Sequence, residues 1–111
     1  MNEEYLSPDQ KYRLILGCSE FRMSHWVCSP RLENAETGAT LFDAASFWDA
    51  GDIHWSDDSR TLSFSMRKYP GSPAYNHKVL IHLDTLRAEL TPEGQAMKEM
   101  ELGALTAVFV N

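Results

Sequence analysis

The side chains of this 111-residue chain that could do chemistry are four histidines, two cysteines and a scatter of carboxylates. A metal site needs three or four donors that converge, and close ligand pairs usually announce one. His25, His54 and His77 instead flank the starts of extended segments, while His82 shares a strand with His77. Side chains alternate along a strand, so His77 and His82 project to opposite faces and cannot readily form one site. Cys18 and Cys28 are spaced to lie on neighbouring strands of one hairpin, where a disulfide could close. The N-terminus lacks the basic-then-apolar order of an export signal, and cytosolic redox poise opposes the bond. Two buried thiols are therefore expected. A zinc site is not, for want of a second close pair of ligands.

The carboxylates and serines give no better purchase. Asp57 and Asp58 belong to a turn, Asp49 and Asp52 flank a glycine, and Glu99 and Glu101 fall on the solvated side of an expected helix. General acid–base catalysis needs a pocket that shifts a pKa, and nothing in the sequence visibly builds one. Ser46 lacks the glycines of a nucleophile elbow. No catalytic residue, metal or cofactor is assigned.

Recognition is better served. Trp, Tyr and Arg dominate binding hot spots. Residues 67–75 form a basic, tyrosine-bearing loop on an acidic protein of formal net charge -6. Trp26 and Trp55 fall where strands should be and are expected in the core. Trp48, in the segment between two strand-rich stretches, is weighed both as a plug between sheets and as a surface anchor. The candidate partner-binding residues are Trp48, Arg67, Tyr69 and Tyr75. The acidic balance excludes nucleic acid, whose affinity rests on Lys and Arg displacing counterions, and favours a basic partner. No apolar run could span a bilayer, so the chain reads as cytoplasmic.

These residues must be held by strands. Residues 61–67 alternate strictly, with Leu62, Phe64 and Met66 on one face and serines and Arg67 on the other. In residues 78–83, Val79, Ile81 and Leu83 share a face. The prolines and glycine between them make a loop, giving an antiparallel hairpin. Tyr12, Leu14, Leu16 and Cys18 alternate similarly, and Pro30 marks the next strand as an edge or a bulge. Thr91 followed by Pro92 and Glu93 predicts a helix over 92–102, and the apolar residues 104–110 predict a closing strand.

The chain also repeats itself. Aligning Leu6 with Trp55 sets Ser7 on Ser56, Asp9 on Asp58, Lys11 on Arg60 and Leu14 on Ser63; after one gap, Glu36-Thr37 meets Asp84-Thr85 and Leu41-Phe42 meets Glu89-Leu90. The period of about 48 to 49 residues falls in the range of solenoids, propellers and arrays. Trp55, Ser56, Asp58, Arg60, Leu62, Phe64, Ile81, Leu83, Asp84 and Thr85 resemble the blade repeat of TolB-like and Trp-Asp-repeat β-propellers. So, in the first copy, do Ser7, Pro8, Asp9, Lys11, Leu14, Thr37 and Gly38. In those families a turn after a Trp-Ser-Pro-Asp-Gly type sequence leads into an alternating strand. Here Gln10 and Ser59 stand where the family usually has glycine, which puts the turn geometry in question. A propeller needs four or more blades, so two copies exclude a closed ring from one chain.

The expected fold is mainly β: a single domain, 1–111, of two blade-like antiparallel meanders at about 6–42 and 55–90, forming a small sandwich or curled sheet. Residues 91–111 add a short helix and a closing strand. The expected function is a non-catalytic protein–protein interaction module, in one form a bacterial adaptor or immunity-type protein. The alternative is a small-molecule binder or minor enzyme with a cleft between the meanders, lined by Trp48 and a histidine. Pairing of exposed strand edges into a homodimer is a further option.

Overall fold

Among the described residues, nine strands and one helix follow each other as β1 (Asn2–Leu6), β2 (Tyr12–Phe21), β3 (His25–Asn34), β4 (Thr40–Asp43), β5 (Trp48–Trp55), β6 (Thr61–Lys68), β7 (His77–His82), β8 (Arg87–Pro92), β9 (Lys98–Glu101) and α1 (Leu102–Val108). This computed structural model describes residues 2–21, 25–45, 47–69 and 74–110, with backbone alone at 21 and 25. The strands form two antiparallel meanders, β1-β2-β3-β4 and β5-β6-β7-β8-β9. Each strand pairs with its sequence neighbour, as short turns require.

The repeated turn is built the same way twice. In the first copy Ser7 Oγ donates to Asp9 Oδ1, the amide of Lys11 donates to the same carboxylate oxygen, and the amide of Tyr12 donates to Ser7 Oγ. In the second, Ser56 Oγ, the amide of Arg60 and the amide of Thr61 make the equivalent bonds around Asp58. Gln10 and Ser59 both adopt a left-handed backbone, with φ of 64° and 62°. The geometry that glycine makes easy is thus kept without glycine, because the Ser and Asp side chains clamp the turn from both sides.

Register then fixes which faces meet. Tyr5, Leu14, Leu32 and Phe42 form one cross-strand row of the first sheet, and Leu14, Leu32 and Phe42 lie in the core. The row at the equivalent place in the second sheet is His54, Ser63, Leu80 and Glu89, which faces away from the core. There the core is filled by the neighbouring row, Leu62, Ile81 and Ala88, together with Phe64, Met66 and Val79. Its first-sheet counterpart, Arg13 paired with Glu33, points outward. The two meanders therefore pack front to back, related by a shift without a flip.

Between the sheets Phe42 meets Phe64 at 6.1 Å and Phe109 edge-on at 6.1 Å. The helix α1 buries Leu102 and Leu105, followed by Phe109, and covers the flank of β4, where Thr106 Oγ1 accepts from the Asp43 amide. Residues 102, 105 and 109 recur at helical spacing, so the segment expected as a closing strand is the helix. The expected helix at 92–102 is instead the end of β8, a turn and β9, because Leu90 and Ala88 are held in the sheet and Leu90 pairs with Lys98 across the turn. The cap-like Thr91-Pro92 ends a strand.

Two further expectations change. Pro30 lies in a central strand, not at an edge: its carbonyl accepts from the Ala44 amide on the β4 side, so its missing N–H also faces that side, past the last paired residues of β4. The other half of that expectation is met, since the pairing of β3 with β4 carries a register shift between Leu32 and Glu33. Cys18 and Cys28 are directly opposed across β2 and β3 and are joined as a disulfide, where two thiols had been expected.

Candidate functional site

Where the first strand of the second unit passes the third strand of the first, the sheets are stitched by side chains. Ser29 Oγ on β3 donates to the carbonyls of Trp48 and Ala45, at 2.7 and 3.2 Å. One residue along, the Cys28 amide donates to Asp49 Oδ1 at 2.8 Å. Asp49 is only 3% exposed, yet its carboxylate is fully engaged: Oδ2 receives Arg67 Nε at 2.9 Å and the Tyr75 hydroxyl at 3.2 Å. Arg67 arrives there because it pairs with Asp49 across β5 and β6. Burying a carboxylate is tolerable only when its lone pairs are met in this way.

Tyr75 is drawn onto the same knot. Its ring lies over Gly51, where an added Cβ would fall 2.8 Å from Tyr75 Cζ, so only glycine admits the aromatic at this distance. The Arg67 guanidinium sits 5.1 Å from the ring centroid, within cation–π range. Burial, reinforced by the charge of Asp49, raises the Tyr75 phenol pKa above its ordinary value.

A cleft of about 370 Å³ opens beside this knot, between the two sheets. The first sheet contributes Glu3, Tyr5, Trp26 and Cys28, and the second Asp49, Gly51, Asp52, Ile53, Arg67 and Tyr75. Trp26, expected in the core, is 47% exposed at the mouth, and Tyr75 is 40% exposed. The Tyr5 hydroxyl donates to Glu3 Oε1 at 3.1 Å, and burial followed by this acidic neighbour raises its pKa. Glu3 Oε2 also lies 3.6 Å from Cys18 Sγ. Among the described residues, Glu3, Cys18 and Cys28 are the metal-type donors that converge, all within 4.8 Å of one another.

Of the residues singled out in the sequence, Arg67 and Tyr75 are brought together. Trp48 is 7% exposed and packs edge-on against His77 at 5.2 Å and Phe109 at 4.7 Å, filling the space between the sheets instead of facing a partner. The cleft is therefore not lined by Trp48 and a histidine. Tyr69 is half-buried, with its amide donating to the Phe47 carbonyl, and is not a wall of the cleft. Residues 70–73, the middle of the expected loop, lie outside the described residues. His82 stands on the outer face against Glu89 at 2.6 Å, and burial in the interior lowers the pKa of His77.

Sequence reading missed Asp49, Glu3 and the exposed Trp26. Asp49 would have been found from one fact the sequence withholds, its register opposite Arg67. Comparison with known proteins finds no matching family model, no similar curated protein and no similar solved structure. No helix among the described residues is long and apolar enough to cross a membrane.

Proposed function

We propose that this chain is a non-catalytic protein-binding module of the cytoplasm, and that its cleft receives a basic side chain of a protein partner. The observation that carries the reading is the composition of the cleft mouth. Two exposed aromatics, Trp26 and Tyr75, stand beside the carboxylates of Glu3 and Asp52, while Arg67, the cation among the described residues that line the cleft, is already held by Asp49. Aromatic faces with nearby carboxylates attract a guanidinium or ammonium group, and the overall charge of -6 draws such a partner in. Arg67 and Asp49 brace Tyr75 for this contact, and Tyr69, outside the cleft wall, is a further residue of the proposed surface. An adaptor or immunity-type protein is the form of this reading that we propose.

A second reading keeps the same cleft for a small molecule or a minor enzymatic activity. Its volume lies within the roughly 300 to 1,000 Å³ of small-molecule sites. The charge of the walls would then select a small organic cation.

Binding of immobilised arginine-rich peptides, followed by surface plasmon resonance, tests the first reading. Trp26→Ala and Tyr75→Ala should each weaken binding at least tenfold, and binding should fall as salt rises. Undiminished capture by both variants would remove the cleft from the account.

A further inference from the structure

We infer that Cys18, Cys28 and Glu3 form a binding site for a thiophilic divalent cation such as Zn²⁺ when the cysteines are reduced, so that one pair of sulfurs serves either as a cross-link or as a metal site. The donors come from three adjacent strands, β2, β3 and β1. Glu3 pairs with Leu16 and therefore shares the inward face of Cys18, one step along the ladder, while Cys28 is directly opposite Cys18. Their ligand atoms lie within 4.8 Å of one another, and Glu3 Oε2 is already 3.6 Å from Cys18 Sγ.

The geometry of the reduced pair suits such a cation. Bonds of about 2.3 Å to sulfur at a tetrahedral angle set two thiolates roughly 3.8 Å apart. The Cα atoms of Cys18 and Cys28 are 3.9 Å apart, so rotation of the two side chains can open the sulfurs to that distance without a large movement of either strand. The carboxylate supplies a third, harder donor at about 2.0 to 2.2 Å, and because Glu3 and Cys28 line the cleft, water from it can supply a fourth. The Cys28 backbone is fixed by its hydrogen bond to Asp49, which holds one ligand in place from behind. A sequence search for paired Cys-x-x-Cys ligands passes over this arrangement because sheet register, not chain proximity, brings the donors together.

The two states are linked by a balanced exchange. A dithiol reductant gives two electrons and two protons to the Cys18–Cys28 bond and leaves as its own disulfide. The cation then displaces the two thiol protons to solvent. In a reducing compartment the dithiol is the form expected, so the metal site would be the resident state of a cytoplasmic chain.

The test is a titration with Zn²⁺ against a chromophoric chelator, and with Cd²⁺ followed by its thiolate charge-transfer absorbance, on the whole chain. The protein is reduced by a phosphine that is then removed under anaerobic conditions. One equivalent should bind to the reduced chain and none to the oxidised chain. Cys18→Ser and Cys28→Ser should each abolish the charge-transfer band. Glu3→Gln, an exposed change that leaves the core intact, should keep the band and weaken Zn²⁺ affinity about tenfold or more. Absence of binding by the reduced chain, equal binding by the oxidised chain, or unchanged affinity in Glu3→Gln would each overturn the site. Because no partner is present, the result is independent of the peptide-binding proposal.

Discussion

The backbone amide of Asp9 donates to Ser59 Oγ at 2.9 Å, so the two copies of the repeated turn are tied directly to each other. Nearby the Trp55 indole donates to the Tyr5 carbonyl at 3.1 Å, a second tie between equivalent regions of the two units. Ser59 is buried, and its hydroxyl is the protein acceptor that Asp9 N–H would otherwise lack. Ser59→Ala should therefore cost about 1 kcal/mol in chemical denaturation, the net worth of one hydrogen bond, because Asp9 is exposed and water can reach its amide. Gln10, at the same left-handed position of the first turn but exposed, has no such duty. Gln10→Gly should instead leave stability unchanged or raise it by about 1 kcal/mol, by relieving the left-handed backbone. Equal losses in both variants would show that the tie between turns is unimportant.

Asp49 predicts a larger effect. Replacing it with alanine strands the Cys28 amide and Arg67 together, and breaking a buried ion pair from one side costs about 3 to 5 kcal/mol. Thermal melting should show it. Asp49→Asn, which keeps the shape and an acceptor, should lose less, and an equal loss would point to the charge alone instead of to the acceptor and packing.

Gly51→Ala separates the cleft from the core. The new Cβ would collide with the Tyr75 ring, which is partly exposed and can swing away, so Tyr75 should leave Asp49 and Arg67. Stability should fall modestly, while peptide binding should drop as far as in Tyr75→Ala. Intact binding would place Tyr75 outside the recognition surface.

The pH dependence has two acidic-side contributions with different windows. His77 is desolvated against Trp48 and Phe109, and its folded pKa is lowered from about 6.5. Below that unfolded value the unfolded chain takes up the proton first, so stability is lost as pH falls from about 6.5 toward the folded pKa. His77→Phe should flatten this limb of a stability-versus-pH profile, and an unchanged slope would remove His77 as its source.

Asp9 and Asp58 act further down. Asp9 is held below the ordinary carboxylate range first by the Lys11 amide and then by Ser7, and Asp58 first by Ser56 and then by the Arg60 amide. Their contribution is complete above the unfolded carboxylate value of about 3.9 and disappears as pH falls through the lower folded values. Asp58→Asn should shift the acid-unfolding midpoint upward and shorten that limb, leaving the His77 region as it was.

The two Ser-Asp turns were legible because their residues act locally. Ser7, Asp9, Ser56 and Asp58 satisfy amides within a few positions of themselves, so spacing alone reveals the turns, and strict alternation reveals β6. The C-terminal order was not legible. Thr91-Pro92-Glu93 carries the marks of a helix start, but Ala88 and Leu90 are claimed by the sheet, and tertiary burial overrides a cap signature. Residues 104–110 are β-prone by composition, yet it is the spacing of Leu102, Leu105 and Phe109 that decides. The cleft was hidden for a further reason. Trp26, Asp49 and Arg67 are assembled by register across two sheets, and register is what a single sequence states least clearly.

The front-to-back packing gives the molecule a direction. A two-fold pair would use up its sticky faces on each other, but a shifted pair leaves each end displaying the side that the opposite unit buries. Such contacts are heterologous, and repeated between copies they generate rings or open fibres. Here the free ends are blunted. Arg13 with Glu33 occupies one, and on the other Ser63, His82 and Glu89 flank Leu80, where a wholly apolar row would invite the next unit. A few polar side chains at the two outer surfaces thus stand between a finite pair and a polymer.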